Sequence, residues 1–311
     1  MQHNKPVTNS GYLISLLAAI TWSLTGPGVK VVNDIFHLHP LSLAFWRVIF
    51  IAIALVIGVA LVKRTLLRVT AQQVRWLALA GIIGIGIYQA IFVYSIALNG
   101  AAVGIVLVYV FPVFVTLGSW VFFKEPMGLS QIIALVISVM GCALLVRAYT
   151  PAVFQVNAWG AAVGLLSALA HATYTLISRH MSSIGNTHPA TTLTYTFGFG
   201  LLTLTVLVLI AAREATFAIA PQALPAVALL ALGPTLGGYI LFNLALTRLP
   251  SPVVSLIVVT EAPIAAVIGV LFLGEHLELW QVVGIGLILV AIVLPTALNR
   301  LGAAQPLAPP I

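Results

Sequence analysis

The chain has 311 residues, of which 61% are apolar and 6% are charged, whereas a soluble globular domain carries roughly 25% charged residues. This composition nearly excludes a water-soluble enzyme, a disordered chain and a disulfide scaffold, and Cys142, the only cysteine, cannot pair within the chain. The net charge of +7 would suggest nucleic acid only in a soluble protein, because excess Lys and Arg in a membrane protein usually orient its loops.

Ten apolar runs follow one another along the sequence, and each predicts a membrane-spanning helix. About 20 apolar residues are needed to cross the hydrocarbon core of a bilayer, and lipid-facing backbone groups must be bonded internally, which favours helices over strands. The boundary at Asn99-Gly100 is the least sharp and leaves a continuous helical hairpin open. The runs are 11–32, 40–62, 74–98, 101–123, 129–147, 158–179, 189–212, 223–247, 251–273 and 279–298.

Charges outside the apolar runs predict the orientation. The first run follows Lys5 and is too long for the apolar part of a signal peptide, so we expect it to remain as an uncleaved helix. Ten spans put both termini on one side of the membrane. That side then holds nine basic residues and the other side three, which predicts that both termini are cytoplasmic. The nine are Lys5, Lys63, Arg64, Arg68, Arg75, Lys124, Arg179, Arg248 and Arg300; the three are Lys30, Arg147 and Arg213. The Pro-rich tail, 299–311, is predicted to be disordered.

The two halves of the chain, 11–148 and 158–298, look alike. Because each half holds five helices, an odd number, the second must enter the membrane from the opposite face, as in the inverted repeats of many secondary transporters. The sequence therefore predicts an all-α membrane protein with ten transmembrane helices in two inverted five-helix repeats. The matched pairs are His39-Pro40 with His188-Pro189, Lys30 with Arg179, Pro112 with Pro263, Glu125 with Glu275, and Gln131 with Gln281.

Pro112 and Pro263 lie at matched points inside their spans. Each removes a backbone N–H and should kink its helix. Two interpretations stay open. The prolines are packing features, since Pro is frequent in membrane helices, or they are hinges for alternating access.

Two charges, Arg47 and Glu261, lie well inside spans. A charge at a helix centre costs ~2.5–3.5 kcal/mol on insertion scales, so it should face a cavity or a partner. The corresponding residues in the other half are Thr196 and Val110, so each repeat forms without the charge. Arg47 is a candidate for binding a substrate carboxylate, and Glu261 for proton coupling. The alternatives are a buried Arg47–Glu261 pair and an Arg47 that extends to the outer surface.

Polar and aromatic residues form stripes on three of the predicted spans. Such a stripe either lines a cavity or joins helices by hydrogen bonds. His171 is an interior histidine or a proton carrier, and Trp22 takes its place in the first half; Ser95 corresponds to Asn243. The stripes are Ser167, His171, Tyr174 and Ser178; Thr235, Tyr239, Asn243 and Thr247; and Tyr88, Ser95 and Asn99. The predicted substrate-binding residues are Trp22, Arg47, Tyr88, Ser95, Tyr109, His171, Tyr174, Tyr239 and Asn243.

Four short motifs carry a resemblance to a known family. They are Phe45-Trp46-Arg47, Phe123-Lys124-Glu125, Glu261-Ala262-Pro263 and Leu273-Gly274-Glu275. With the two five-helix repeats, the chain resembles the EamA-type branch of the drug/metabolite transporter superfamily over about residues 11–298. The resemblance implies export of amino acids and other small metabolites across a bacterial inner membrane. One departure is Ala262, which separates a glutamate and a proline that are often adjacent in the family, and this bears on the direction in which Glu261 faces.

The sequence has no nucleotide-binding motif, metal-ligand spacing or nucleophile motif. We therefore expect no enzymatic activity, cofactor or metal. The prediction is a secondary-active transporter that exports amino acids or related small amphipathic metabolites by alternating access. The alternatives are an uncoupled facilitator or channel and an intramembrane enzyme. Expected partners are a small-molecule substrate, a proton, the lipid bilayer and a second protomer against the apolar spans five and ten, but not nucleic acid.

Overall fold

Every regular element is helical in the residues that the computed structural model describes, which are 9–125, 128–151, 158–183, 187–211, 219–274 and 276–303. The predicted all-α class is therefore confirmed. The α-helices are α1 (Asn9–Ser23), α2 (Thr25–Phe36), α3 (Pro40–Val62), α4 (Ala71–Gly81), α5 (Tyr88–Val108), α6 (Phe111–Phe123), α7 (Leu129–Leu145), α8 (Ala158–Ser183), α9 (Pro189–Ala211), α10 (Leu224–Leu230), α11 (Leu236–Leu246), α12 (Ser251–Val258), α13 (Glu261–Leu273) and α14 (Leu279–Ala303). Two π-helical segments, Ile82–Ile87 and Ala231–Thr235, join α4 to α5 and α10 to α11.

The structure corrects the start of the predicted C-terminal tail. The helix α14 continues to Ala303, so residues 299–303 are helical instead of disordered. The physical reason is that Pro306 is the first proline after Pro295, and nothing before it forces the helix to end. The rest of the tail, Lys5, Arg213 and Glu275 lie outside the described residues.

Eight helical segments of the described chain are long and apolar enough to cross a membrane. A shorter apolar helix, Leu129–Leu145, and the apolar part of α14, Leu279–Pro295, accompany them. Each predicted run overlaps one of these segments. The helix α7 has 17 residues, fewer than the roughly 20 of a typical span, so ten spans stay a prediction. The eight are Asn9–Phe36, Pro40–Val62, Ala71–Leu98, Val103–Phe123, Ala158–Ser183, Pro189–Ile210, Pro221–Leu246 and Ser251–Leu273.

The chain reverses direction within α5. A Cβ placed on Gly104 would lie 3.2 Å from the Cα of Ile96, whereas eight residues of a straight α-helix span about 12 Å. Ser95 from one arm and Leu107 from the other both approach Gly164 of α8. The structure therefore favours the helical-hairpin alternative between the third and fourth predicted spans.

The sequence repeat recurs as matched helix starts. His39 and His188 each stand before a helix, and each accepts a hydrogen bond at Nδ1 from the backbone N–H two residues later, over 3.3 and 3.2 Å. Gln131 and Gln281 each accept one at Oε1 from the backbone N–H three residues earlier, over 3.1 and 3.0 Å. The first N–H groups of a helix have no intrahelical partner, and such side chains satisfy them.

Matched helix ends complete the correspondence. The helices α6 and α13 both stop at a residue in the left-handed conformation, Lys124 with φ of 55° and Gly274 with φ of 66°. A left-handed residue directs the chain away from the helix axis and satisfies its last carbonyls. These matched starts and ends agree with the two predicted repeats, while the opposite insertion of the two halves stays a prediction.

Large apolar side chains cover the outer surface. Val62, Ile210 and Phe272 are 87%, 80% and 78% exposed. Soluble proteins rarely expose extended apolar surface, so lipid is the medium that this surface fits. At the periphery, α7 and α14 pack backbone to backbone, and a Cβ on Gly141 would lie 2.8 Å from the carbonyl oxygen of Gly284.

Candidate substrate site

Two helix breaks lie at matched points of the repeat. The first separates α5 from α6, and the second separates α12 from α13. Pro112 is the second residue of α6 and Pro263 is the third residue of α13. A proline ring has no N–H and clashes with the carbonyl four residues earlier, which ends the preceding helix. The predicted kinks are present as breaks, and a hinge role for the two prolines stays a prediction.

A hydrogen bond joins the two breaks. Tyr109 lies in the first break, and its hydroxyl donates to Oε1 of Glu261 over 3.1 Å. Glu261 is the first residue of α13, where the helix dipole favours a carboxylate, and the residue is half-buried. Glu261 therefore faces the first repeat despite the intervening Ala262.

His171 of α8 lies among aromatic rings. Its ring centroid is 4.6 Å from that of Phe111, 5.1 Å from Tyr88 and 6.4 Å from Trp22. The residue is 7% exposed, and its Nδ1 has no hydrogen-bond partner. Buried polar atoms without a partner are uncommon in folded proteins, so this nitrogen is available to a ligand. We define the aromatic cluster as Trp22, Tyr88, Phe111, His171, Tyr174, Tyr239 and Phe242.

Asn243 ties two tyrosines of the aromatic cluster together. Its Nδ2 donates to the hydroxyl of Tyr174 over 2.6 Å and to the backbone carbonyl of Tyr239 over 2.9 Å. The rings of these tyrosines meet edge to face with their centroids 5.6 Å apart, and Trp22 lies 5.0 Å from Tyr239. The amide thus anchors the hydroxyl of Tyr174 to α11, beside the ring of Tyr239, and the sequence predicted both tyrosines to contact substrate.

Arg47 of α3 lies beside the aromatic cluster. Its Nη2 donates to the hydroxyl oxygen of Thr235 over 2.9 Å, and its Nε has no partner. The backbone carbonyl of Thr235 also accepts a hydrogen bond from Nε1 of Trp22 over 3.2 Å. Tyr109, the partner of Glu261, lies two residues before Phe111, so both charges adjoin the cluster. No ion pair joins Arg47 to Glu261 within the described chain, and the alternative of a buried pair is therefore wrong for this structure.

Sequence analysis missed two irregular helical turns. The π-helical segments Ile82–Ile87 and Ala231–Thr235 occupy matched points of the repeat. The first ends directly before Tyr88, and the second contains Thr235, whose hydroxyl binds the guanidinium. A π-helical turn is rare and is frequently found at functional sites. Glycines in both segments and Pro234 in the second were the available signal, because they weaken a regular α-helix.

Ser95 lies apart from the aromatic cluster. Its hydroxyl donates to the backbone carbonyl of Gly160 over 3.4 Å, and the residue is fully buried between α5 and α8. This contact favours the helix-joining alternative for Ser95, although its repeat partner Asn243 belongs to the cluster. A substrate contact by Ser95 stays a prediction, and the side chain of Asn99 lies outside the described residues.

A second set of polar residues, which we call the span-end network, links helices of both repeats. Glu125 pairs with Arg179 at 3.6 Å and accepts a hydrogen bond from the hydroxyl of Ser119. Arg179 donates to the backbone carbonyl of Leu246 over 2.6 Å, and the hydroxyls of Ser119 and Ser251 lie 3.2 Å apart. The network therefore joins α6, α8, α11 and α12. Sequence reasoning matched Glu125 and Arg179 to their repeat partners and not to each other, since a bridge between spans leaves no local pattern.

An apolar groove between α6 and α7 has a volume of about 400 Å³. None of the predicted substrate-binding residues lines it. Its walls include Leu117, Val136 and Met140, which are exposed on the outer surface. The groove therefore opens toward lipid and is separate from the aromatic cluster.

Comparison with known proteins decides the family. A sequence model of the EamA-like transporter family matches residues 9–147 and, a second time, residues 158–296. The chain belongs to the EamA-like transporter family. The resemblance drawn from the four short motifs is thereby confirmed, and this EamA-like protein is an integral membrane protein of a transporter family.

Individual relatives of this EamA-like protein agree with that assignment. The probable terminal-alkyne amino-acid exporter of Streptantibioticus cattleyicolor is 28% identical over 144 residues, and this match spans 46% of the chain and 47% of that relative, about half of its length. The uncharacterized transporter YwfM of Bacillus subtilis is 25% identical over 289 residues, which cover 93% of the chain and 94% of the relative. One protein of known crystal structure shares the fold, with a TM-score of 0.79 at 15% identity over 95% of this chain and 99% of the other.

Proposed function

We propose that this EamA-like protein is a secondary-active transporter that exports amino acids or related small amphipathic metabolites by alternating access. One observation carries the proposal. Two buried polar atoms, Nε of Arg47 and Nδ1 of His171, have no protein partner and adjoin the aromatic cluster. Aromatic faces suit the apolar part of such a ligand, and a guanidinium suits a carboxylate. The amino-acid exporter among the relatives supports the same substrate class.

Glu261 is the residue that we assign to proton coupling. It stands at the break before α13 and accepts a hydrogen bond from Tyr109 in the break before α6. A carboxylate accepts such a bond more strongly than a neutral carboxyl group. Uptake of a proton would therefore weaken the link between the two repeats. In ten spans arranged as inverted repeats, 11–148 and 158–298, that change would bias which side of the membrane the site faces.

A binding screen followed by a flux assay tests the proposal. Purified protein is heated with amino acids, nucleosides and cationic drugs, and we expect an amino acid or a related metabolite to raise the melting temperature. The stabilising compound is then loaded, unlabelled, into proteoliposomes, and labelled compound is added outside. In a carrier, the unlabelled compound inside raises the rate at which labelled compound is taken up. Flux without this trans-stimulation would identify an uncoupled channel, and the absence of any stabilising amino acid or metabolite would contradict the substrate class.

The orientation is tested by cysteine labelling in intact bacterial cells. In a Cys142→Ser background, Ser10→Cys and Asn299→Cys should be protected from impermeant thiol reagents, because the distribution of basic residues favours cytoplasmic termini. Tyr149→Cys is the matched control on the opposite side, and Tyr149 is 40% exposed. Labelling of either terminal position from outside would overturn the inner-membrane orientation.

A further inference from the structure

Thr235 connects two predicted binding residues of the first repeat to the second repeat. It is the last residue of the π-helical segment Ala231–Thr235 and is 4% exposed. Its hydroxyl oxygen accepts a hydrogen bond from Nη2 of Arg47 over 2.9 Å, and its backbone carbonyl accepts one from Nε1 of Trp22 over 3.2 Å. One residue therefore holds both a cation and an indole ring.

The hydroxyl proton of Thr235 is already committed. It is donated to the backbone carbonyl of Leu230 over 2.9 Å, five residues earlier, as the spacing of a π-helical turn allows. A hydroxyl has one proton and two acceptor lone pairs, so its oxygen is directed to accept from Arg47. A valine at this position would keep the shape and lose the acceptor.

The contact leaves part of the guanidinium unused. A guanidinium has five N–H donors in a rigid plane. The bond from Nη2 to Thr235 holds one end of this plane, and Nε remains buried without a partner. The hydrogen bond to the backbone carbonyl of Thr235 holds the indole of Trp22. The indole centroid lies 5.0 Å from the ring centroid of Tyr239 and 6.4 Å from that of His171.

We propose that Thr235 is a positioning residue of the substrate site, which orients Arg47 and Trp22 so that a ligand carboxylate meets the Nε donor of the guanidinium, which no protein group uses. The inference rests on the proposed function, because it assumes that the aromatic cluster binds the transported compound. In addition, the selectivity for a carboxylate would depend on Thr235, which does not contact the ligand itself and acts by orienting Arg47.

A double-mutant melting cycle tests the positioning contact without any ligand. Thr235→Val, Arg47→Met and the double variant are compared by thermal unfolding. We expect the double variant to melt close to the less stable single variant, because both changes break the same hydrogen bond. Thr194→Val is the control, since Thr194 is 5% exposed and its hydroxyl bonds only within α9. Additive losses for Thr235 and Arg47 would overturn the proposal.

A pair of probes tests the selectivity. L-leucine carries a carboxylate, and L-leucinamide replaces it with a neutral amide. In wild type we expect L-leucine to bind more tightly; Thr235→Val should lower its affinity about 5- to 150-fold and change the affinity for L-leucinamide much less. Thr235→Ser keeps the hydroxyl and should restore the preference, whereas Thr194→Val should not alter it.

The two arms separate the possible failures. Non-additive melting with a carboxylate-specific loss of affinity supports the proposal. Equal losses for both probes in Thr235→Val would contradict it, because the residue would then act on general packing. A wild-type protein that binds neither probe contradicts the proposed function for this ligand class, and the melting cycle still decides whether Thr235 positions Arg47.

Discussion

The aromatic cluster and the span-end network are two of the regions in which polar contacts link the repeats, and they differ in how their polar atoms are satisfied. In the span-end network, Glu125, Arg179, Ser119 and Ser251 all have protein partners. Beside the aromatic cluster, Nε of Arg47 and Nδ1 of His171 have none. A buried donor or acceptor without a partner costs about 1–3 kcal/mol.

This difference in hydrogen bonding suggests that the span-end network serves stability and the aromatic cluster serves binding. Paired groups lower the free energy of the conformation in which they are observed, so the span-end network should stabilise this arrangement of the helices. Unpaired groups destabilise the ligand-free protein and gain energy only when something else binds them. If the two regions differ in this way, substitutions in one should leave the function of the other unchanged.

The largest effect is expected for Glu261→Gln. Glutamine keeps the shape and the hydrogen bond from Tyr109 but cannot take up a proton. We expect gradient-driven accumulation in proteoliposomes to be abolished while exchange of substrate for substrate persists. Glu278→Gln is the control, because that carboxylate lies in an exposed pair with Arg147. Uphill transport at the wild-type rate by well-folded Glu261→Gln protein would remove Glu261 from the coupling mechanism.

A smaller effect separates Asn243 from its repeat partner. Asn243→Ala frees the Tyr174 hydroxyl and should lower substrate affinity by about 1–3 kcal/mol, or roughly 5–150-fold. Ser95→Ala removes only a contact between helices and should cost about 0.6 kcal/mol of stability, with affinity unchanged. Affinity titrations and melting curves for both variants check this. A loss of affinity in Ser95→Ala would instead place that residue at the substrate.

The smallest effect is expected in the span-end network. The single variants Glu125→Gln and Arg179→Gln and their double variant form a cycle whose coupling free energy should be about 0.5–1 kcal/mol, because the pair is only partly buried. Substrate affinity should change little in all three proteins. If affinity fell as much in Arg179→Gln as in Asn243→Ala, the functional distinction between the two regions would be lost.

Much of the fold was predictable because membrane helices and repeats leave local patterns. Runs of apolar residues marked the spans, and His39 with His188 marked matched helix starts for a physical reason, since both side chains cap a backbone N–H. The helix breaks were predictable from Pro112 and Pro263, whose rings cannot continue the preceding helix.

The site was predictable only in part. Charge burial singled out Arg47 and Glu261, and helical spacing singled out His171 and Asn243. Their partners were not predictable, because contacts such as Tyr109 with Glu261 join residues 152 positions apart. The repeat predicted similar surroundings for Ser95 and Asn243, whereas Ser95 contacts α8 away from the aromatic cluster; a substrate contact by Ser95 stays a prediction.

The most direct test of the substrate site uses the fluorescence of Trp22. Tryptophan emission is recorded while the compound that most stabilises the protein is added. If substrate binds at the aromatic cluster, the emission changes, and the change disappears in Trp22→Phe and persists in Trp159→Phe, since Trp22 lies in the cluster and Trp159 is 70% exposed. A change of the same size in Trp22→Phe protein that still binds the compound would show that substrate binds elsewhere and would contradict the account.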